Sequence, residues 1–424
     1  MNVSRRDWLV GVGSVAATTA FTTLSAGLPP GPDRGRSLAR VPVVPDFPRK
    51  ADFQMAEGYT YLNGAYTHPM PKAAAAAMHH AIDRRSTVAP PVVDPATQPV
   101  VDPRAAFAAL INAKPSEISY IPNTRAGENL VVECLGIEKF NGNVVTDALH
   151  FEGALVHLFE LRRQGLDLRV VKPRDGRIEL SDLEPVVNRK TKLVEVSLVS
   201  MYNGFQHDLA AVCKLAHAHG AYVYADIIQG AGAVPLDARA TGVDFAACAT
   251  YKWLMGDFGL GFLFVREDLL GRVIRRPHWS YESAPDTDIH LSPLDPLSPQ
   301  PVTYTRGTDA ASYFQLGTMA SAVGAALGVS IPYIQQLGVE NIQHYRQPLL
   351  DRLQRELPRL GFVPQTPLGS TSPIVTFAHR DAQRLNEKLE GARVNVRVAP
   401  YWMRIAPSIY NDMGDVERLL EALS

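Results

Sequence analysis

The chain has 424 residues, 46% of them apolar, enough for a large buried core and for two domains of roughly 100–200 residues each. Its 42 Lys and Arg nearly cancel its 43 Asp and Glu, which argues against nucleic acid or an anionic membrane as a partner and favours a small molecule. Cys134, Cys213 and Cys248 are the only cysteines; without CxxC spacing or a histidine cluster beside them, they indicate neither a disulfide framework nor a metal site.

At the amino terminus, Ser4-Arg5-Arg6-Asp7-Trp8-Leu9 leads into an uncharged stretch from Trp8 to Pro32. A charged head before a mildly apolar segment reads as an export signal, and the paired arginines point to the twin-arginine route. Gly, Ser and Thr make the stretch too polar for a good spanning helix. Residues 1–27 are read as the signal peptide, with small residues for cleavage around Leu24-Ser25-Ala26, and residues 28–50, rich in Pro, Gly and Arg, as a linker. The expected location is periplasmic or extracellular, with the twin-arginine export machinery as a transient partner.

From about residue 105 to 265, helical patterns alternate with short apolar runs at Gly142–Thr146, Leu168–Val171, Leu193–Leu198, Ala221–Ala225 and Gly261–Val265. The alternation predicts an α/β fold with a mostly parallel, helix-covered sheet, whose ligands gather at the carboxyl ends of the strands. Residues 275–308, rich in Pro, Asp and Ser, read as a long active-site or interface loop. A helix is expected from about Phe314 to Leu337, then a helix at Glu340–Leu357, a strand at Ile374–Phe377, a helix at Asp381–Leu389, a strand at Val394–Val398 and a last helix at Gly414–Leu423. The predicted division is a large domain with an N-terminal arm over 51–310, then a connecting helix and smaller α+β domain over 311–424.

Two residues carry the chemistry. Asp226 ends a predicted strand in ADIIQGAGAVPLD (225–237), and Lys252 lies 26 residues later in CATYKWLMGDFGLGFLFVRED (248–268). An amine that forms an imine and a carboxylate that keeps a pyridine nitrogen protonated are the two groups that pyridoxal 5′-phosphate (PLP) catalysis requires. Singly, such residues are ordinarily a helix cap and a surface lysine. The surrounding motifs decide the matter.

From about Tyr61 to the carboxyl terminus the chain resembles the class V aminotransferases, a group that includes cysteine desulfurases, isopenicillin N epimerase-like enzymes and kynureninase. The resemblance implies the PLP-dependent transferase fold of type I, a large domain built on a mostly parallel seven-stranded-type sheet with a smaller C-terminal domain, and Lys252 as the Schiff-base lysine. YLNGAYTHPMP (61–71) is similar to the group's opening segment and implies Asn63 at the mouth of the site. IPNTRAGENLVV (121–132) resembles the phosphate-binding turn, which implies Thr124 and Arg125 as anchors at a helix amino terminus. The family's second hydroxyl and acid are replaced there by Arg125 and Ala126. TDALHFEGALVH (146–157) implies that His150 stacks on the pyridine ring, with Phe151 as the nearby alternative.

VSLVSMYNGFQHDL (196–209) resembles the strand and loop beneath the ring and implies Asn203 and Ser200 there, while Gln229 matches the residue that contacts the cofactor's phenolic oxygen. Tyr251 stands where the group usually has a phosphate-holding histidine before the lysine. YFQLGTMASAVG (313–324) resembles the segment whose threonine reaches the phosphate in the partner subunit, so Thr318 implies a homodimer with shared sites. MRIAPSIYNDMGDVERLLEAL (403–423) is similar to the arginine-bearing strand that forks onto a substrate carboxylate, which implies Arg404 as the anchor and Arg397 as second candidate.

Desulfurases of this group use a nucleophilic cysteine between the last strands of the small domain, and this chain has no cysteine after Cys248. Amino-group chemistry remains, with Lys252 moving the Cα proton. The expectation is an aminotransferase-like reaction on a small-molecule amino acid or amino-acid-containing metabolite, and export points to tailoring of peptides or siderophores outside the cytoplasm. Epimerase or lyase chemistry, a sugar aminotransferase and a non-enzymatic PLP-fold binding protein stay open at this point.

Overall fold

The computed structural model describes residues 46–88, 101–294 and 298–424. The signal-peptide reading and all but the last residues of the linker lie outside them. Residues 46–50 are already packed: the Arg49 amide donates to Ile409 O at 2.7 Å, and Lys50 Nζ reaches Asp412 at 2.6 Å and Asp415 at 3.1 Å.

Seven strands build the main sheet: β1 (Ile118–Ile121), β2 (Asn143–Asp147), β3 (Asp167–Val171), β4 (Thr191–Ser197), β5 (Tyr222–Asp226), β6 (Phe245–Ala249) and β7 (Gly261–Val265). Their order across the sheet is β1-β7-β6-β5-β4-β2-β3. β7 pairs antiparallel with β1 and β6, and the remaining neighbours pair in parallel. Helices cover both faces, so the central strands are buried along almost their whole length and read as largely apolar runs rather than alternating ones. This is the α/β architecture with a mostly parallel seven-stranded sheet that the sequence implies.

β1 and β6 were not predicted. β1 has four residues, and β6 reads Phe-Ala-Ala-Cys-Ala, a run with weak strand propensity that burial on both sides imposes. The stretch 275–308 also departs from a plain loop: Asp286–Ile289 and Val302–Thr305 pair as an antiparallel hairpin, consistent with their alternating Thr, Ile, Val and Tyr. The helix expected from Phe314 begins later. A short helix, Ala310–Phe314, ends in an extended segment at Gln315, passes Gly317 at φ 145°, and the long helix starts at Ser321.

The carboxyl-terminal region forms a four-stranded antiparallel sheet in the order β8 (Val363–Pro364), β9 (Val375–Ala378), β11 (Trp402–Ile405), β10 (Arg397–Val398). It is backed by helices Val339–Glu356, Ala382–Gly391 and Met413–Leu423 around a separate apolar cluster of Leu349, Leu353, Phe377, Met403, Val416 and Leu419. The strand expected over Val394–Val398 is divided. Val394–Asn395 pairs in parallel with Thr60–Tyr61, and only Arg397–Val398 joins β11. The amino-terminal arm is thus stitched to the small sheet, and Asn63 bridges to Ala406 one residue beyond β11. Arm, small sheet and the carboxyl ends of the main strands thereby converge on one place.

Candidate active site

The convergence point is built from three turns at the carboxyl ends of β4, β5 and β6. β5 ends in Asp226, whose Oδ1 accepts from the Ile228 amide at 2.9 Å; Asp226 lies opposite Ser197 at the end of β4. Just past β6 comes Lys252, 9% exposed, followed by the fully buried Trp253 and by Met255, which takes a left-handed conformation at φ 56°. A buried methionine held in that region marks a turn fixed by its surroundings: the Met255 amide donates to Lys252 O at 2.8 Å and the Gly256 amide to Thr250 O at 2.9 Å.

Burial lowers the Lys252 amine to about 8, against the pull of Asp226, while Arg404 pushes it in the same direction as burial. Burial raises the Asp226 carboxyl, opposed by His150 and Lys252. These four residues therefore share one electrostatic environment. His150 is fully buried; its Nδ1 lies 2.8 Å from Ser197 Oγ and its Nε2 has no hydrogen-bond partner. The turn that carries it is pinned by Asp147, which accepts from the Leu149 amide at 2.8 Å and meets His207 Nε2 at 3.0 Å.

Helix α1 (Thr124–Cys134) points its amino terminus at the same strand ends. Asn123 caps it by accepting from the Ala126 amide at 3.0 Å, and Thr124 Oγ1 accepts from the Ala249 amide at 2.9 Å, tying the first turn to the end of β6. The Thr124 and Arg125 amides lack intrahelical partners, which makes this end an anion cradle. The Arg125 side chain turns away from it to Glu128 and, at 3.0 Å, to Asn129 Oδ1, leaving its backbone amide for the cradle.

Gln229 is held at both ends of its amide, donating to Ala65 O and accepting from Trp253 Nε1, each at 2.9 Å. Asn203 donates to Gly176 O at 2.7 Å and accepts from the Phe205 amide at 3.0 Å, stapling its own loop. Tyr251 stacks on Phe258 at 4.4 Å, with Lys252 Nζ 5.7 Å from its ring centre. Thr318 is exposed, bonded to Tyr281 at 3.0 Å, and lines a shallow cavity with Ile121, Pro122 and Gly259; within this chain it does not join the Lys252 cluster.

On the side of the small sheet, Arg404 in β11 is 3% exposed, donates from NH1 to Met201 O at 3.0 Å, and leaves Nε without a partner. Among the described residues no carboxylate pairs with it. Burial, with Arg397 adding to it, brings its guanidinium down to about 10. Arg397 lies directly opposite Arg404 in the sheet, exposed, 5.8 Å from the Tyr66 ring. Asn63 donates to Asn395 Oδ1 at 3.1 Å and buries an unpartnered Oδ1.

The sequence reading missed Ser197, His207 and a buried acid pair, Glu128 and Glu195. A glutamate inside the mostly apolar run Leu193–Leu198 was the legible sign of that pair.

A buried amine, a buried carboxylate, a histidine with one free ring nitrogen and an anion cradle, all at the switch region of a parallel sheet, fit PLP: Lys252 for its carbonyl, Asp226 for its ring nitrogen, and the Thr124–Arg125 turn for its phosphate. Fold and site thus define a type I PLP-dependent enzyme. The aminotransferase class-V family model matches residues 60–419, and the chain belongs to that family, whose members are PLP enzymes. Among curated proteins it is 29% identical over 311 residues to a probable cysteine desulfurase of Methanothermobacter thermautotrophicus, covering 72% of this chain and 74% of that one. It is 26% identical over 352 residues to a cysteine desulfurase of Escherichia coli O6:K15:H31, covering 77% and 82%. The fold matches the apo structure of a cysteine desulfurase from Thermococcus onnurineus NA1 (TM-score 0.76, 24% identity, 89% of this chain and 97% of that one). It also matches a C-DES mutant with glycine covalently linked to its PLP cofactor (TM-score 0.74, 21% identity, 89% and 99%).

Proposed function

We propose that this enzyme acts at the Cα of a substrate bearing an α-amino group and a carboxylate, and that its outcome is aminotransferase-like rather than persulfide formation. One observation carries the reading: Arg404, buried and without an anionic partner among the described residues, shares the electrostatic environment of Lys252 and Asp226. A buried guanidinium left uncompensated is costly, and a substrate carboxylate is the anion that relieves it. The β10–β11 connection, Ala399-Pro400-Tyr401, carries no thiol; Cys134, Cys213 and Cys248 are all buried, and burial pushes each thiol up, Cys213 to about 12.

Within the site, Arg404 orients the carboxylate, Lys252 takes and returns the Cα proton, and Asp226 holds the charge of the cofactor's ring nitrogen. When bound, PLP supplies the electron sink that makes the Cα proton acidic. The amino-terminal pattern of Arg5-Arg6 and the Trp8–Pro32 stretch supports export and a peptide-like or siderophore-like substrate, and the Thr318 segment supports a homodimer.

The test incubates the PLP-loaded enzyme with amino acids and amino-terminated peptides, with and without a 2-oxo acid, and follows products by mass. Conversion of an amine to its oxo product with matching amination of the acceptor is the expected result. Release of sulfide or of an α,β-elimination product, or turnover of a carboxylate-free amino sugar unaffected by Arg404→Ala, would replace the proposal.

A further inference from the structure

Behind His150, on the face of the sheet covered by α1, lies a set of charged groups that the proposed chemistry does not use. Glu195, in the middle of β4, is completely buried, and neither of its carboxyl oxygens has a hydrogen-bond partner. One carboxyl oxygen of Glu195, one of Glu128 and one ring nitrogen of His150 lie within 4.8 Å of one another. The groups facing this cluster come from every element packed on it. Arg125 on α1 pairs with Glu128, and His157 Nδ1, on the helix Glu152–Arg163, lies 3.9 Å from Glu128. Tyr224 of β5, also fully buried, bonds Thr124 O at 3.4 Å, and Asp226 lies two residues further along the same strand.

Counting charge decides what Glu195 is. Arg125 cancels Glu128, and Lys252 offsets Asp226, so an ionised Glu195 would be a lone negative charge in a fully buried place with no donor bonded to it. Such a group takes up a proton rather than stay ionised. A divalent cation would satisfy the same oxygens but would add two positive charges beside Arg125 to offset one carboxylate, overshooting neutrality. Two further observations agree. Glu128 is held below the usual carboxylate range despite its burial, by His157, His150 and Arg125, whereas burial and the Glu128 charge drive Glu195 well above it. His150 has Nδ1 engaged by Ser197 and Nε2 buried without a partner, and one of its ring nitrogens belongs to the cluster, so a protonated carboxyl beside it is chemically matched.

We propose that Glu195 is an uncharged carboxylic acid in the working enzyme, sharing its proton with His150 and Glu128, and that it is a positioning residue fixing the tautomer and tilt of His150 beside the cofactor ring. The link to the cofactor rests on the reading of His150 as the ring-facing histidine; the protonation of Glu195 does not. The PLP-loaded enzyme at neutral pH should show an infrared C=O band of a protonated carboxylic acid that shifts in D₂O and disappears in Glu195→Gln. Glu195→Gln, which keeps a neutral donor, should retain the cofactor's visible absorption and turnover within about twofold, whereas Glu195→Leu, folded by circular dichroism, should displace the pH titration of that absorption by about one unit. Absence of the infrared band, or one equivalent of bound metal that Glu195→Gln removes, would overturn the protonation. A band that behaves as expected alongside a titration unmoved in Glu195→Leu would overturn the positioning role alone.

Discussion

The two walls of the site are electrically unlike. On the main-sheet wall, three acids stand near bases: Asp226 near Lys252 and His150, Asp147 at 3.0 Å from His207, and Glu128 on Arg125. On the small-sheet wall, Arg404 and Arg397 face each other across β11 and β10, and among the described residues the buried one has no acid paired with it. A wall balanced within the chain suits a resident group that seldom leaves, whereas a wall with an unspent positive charge suits an anion that comes and goes. The comparison assigns the first wall to the cofactor and the second to the substrate.

The sharpest way to break that assignment is Lys252→Ala. It removes the buried amine of the balanced wall, so the visible absorption of covalently held cofactor should vanish and turnover should fall by about 10³-fold or more. Turnover near the wild-type rate would mean that another group does this work. On the opposite wall, Arg404→Leu should lower kcat/KM for carboxylate-bearing substrates by about 10–100-fold, the worth of a charge-assisted hydrogen bond, while leaving the cofactor's absorption in place. Because it also removes a buried uncompensated charge, the melting temperature should hold or rise. A loss of cofactor in this variant would erase the distinction between the walls.

A pH experiment separates the walls again, with a smaller effect. Only the neutral amine of Lys252 attacks a carbonyl, and burial lowers it to about 8. Covalent capture of PLP by the cofactor-free protein, followed by absorbance, should therefore speed up about tenfold per pH unit up to about 8 and level off above it. The stability of the cofactor-free protein runs the same way. Its lysine is harder to protonate folded than unfolded, so as pH falls from 10.5 to about 8 the unfolded chain takes up the proton first and is increasingly favoured. This contribution against folding is full below about 8 and fades as pH rises towards 10.5, the ordinary lysine value. Capture that keeps accelerating well beyond pH 8 would show that Asp226 outweighs burial.

How much of this was legible in the sequence differs between the same two walls. Strands such as Tyr222–Asp226 and Gly261–Val265 announce themselves by runs of β-branched and aromatic residues, and Asp226 stands at the end of the first. Phe245–Ala249 does not, because an alanine-rich segment becomes a strand only through its neighbours on both sides. The split of Val394–Val398, with half its pairing given to Thr60–Tyr61, is a contact across more than three hundred residues that no local pattern encodes. Side-chain direction was least legible: that Arg125 turns to Glu128, and that Gln229 is held between Ala65 and Trp253, depends on packing rather than on spacing.

The smallest effect tests how the balanced wall is kept close. Gly127 lies in α1 one turn after Thr124, where a Cβ would stand 2.8 Å from Ile121 Cδ1 and 3.0 Å from Ala247 Cβ. The first neighbour is the end of a flexible side chain, but the second sits on β6 and cannot retreat. Alanine in place of glycine favours the helix by about 1 kcal/mol, and overpacking of this kind costs about 1–3 kcal/mol, so Gly127→Ala should lose about 1 kcal/mol of stability net. More tellingly, α1 must lift by a few tenths of an ångström, which strains the Thr124 Oγ1 contact with the Ala249 amide and moves the cradle away from the lysine turn. PLP affinity, measured by equilibrium titration, should therefore fall severalfold while the substrate's KM in cofactor-saturated enzyme stays unchanged. If stability rises instead and affinity is untouched, Ile121 has absorbed the methyl group, and the close approach of α1 to the sheet is not what sets the distance between the anion cradle and Lys252.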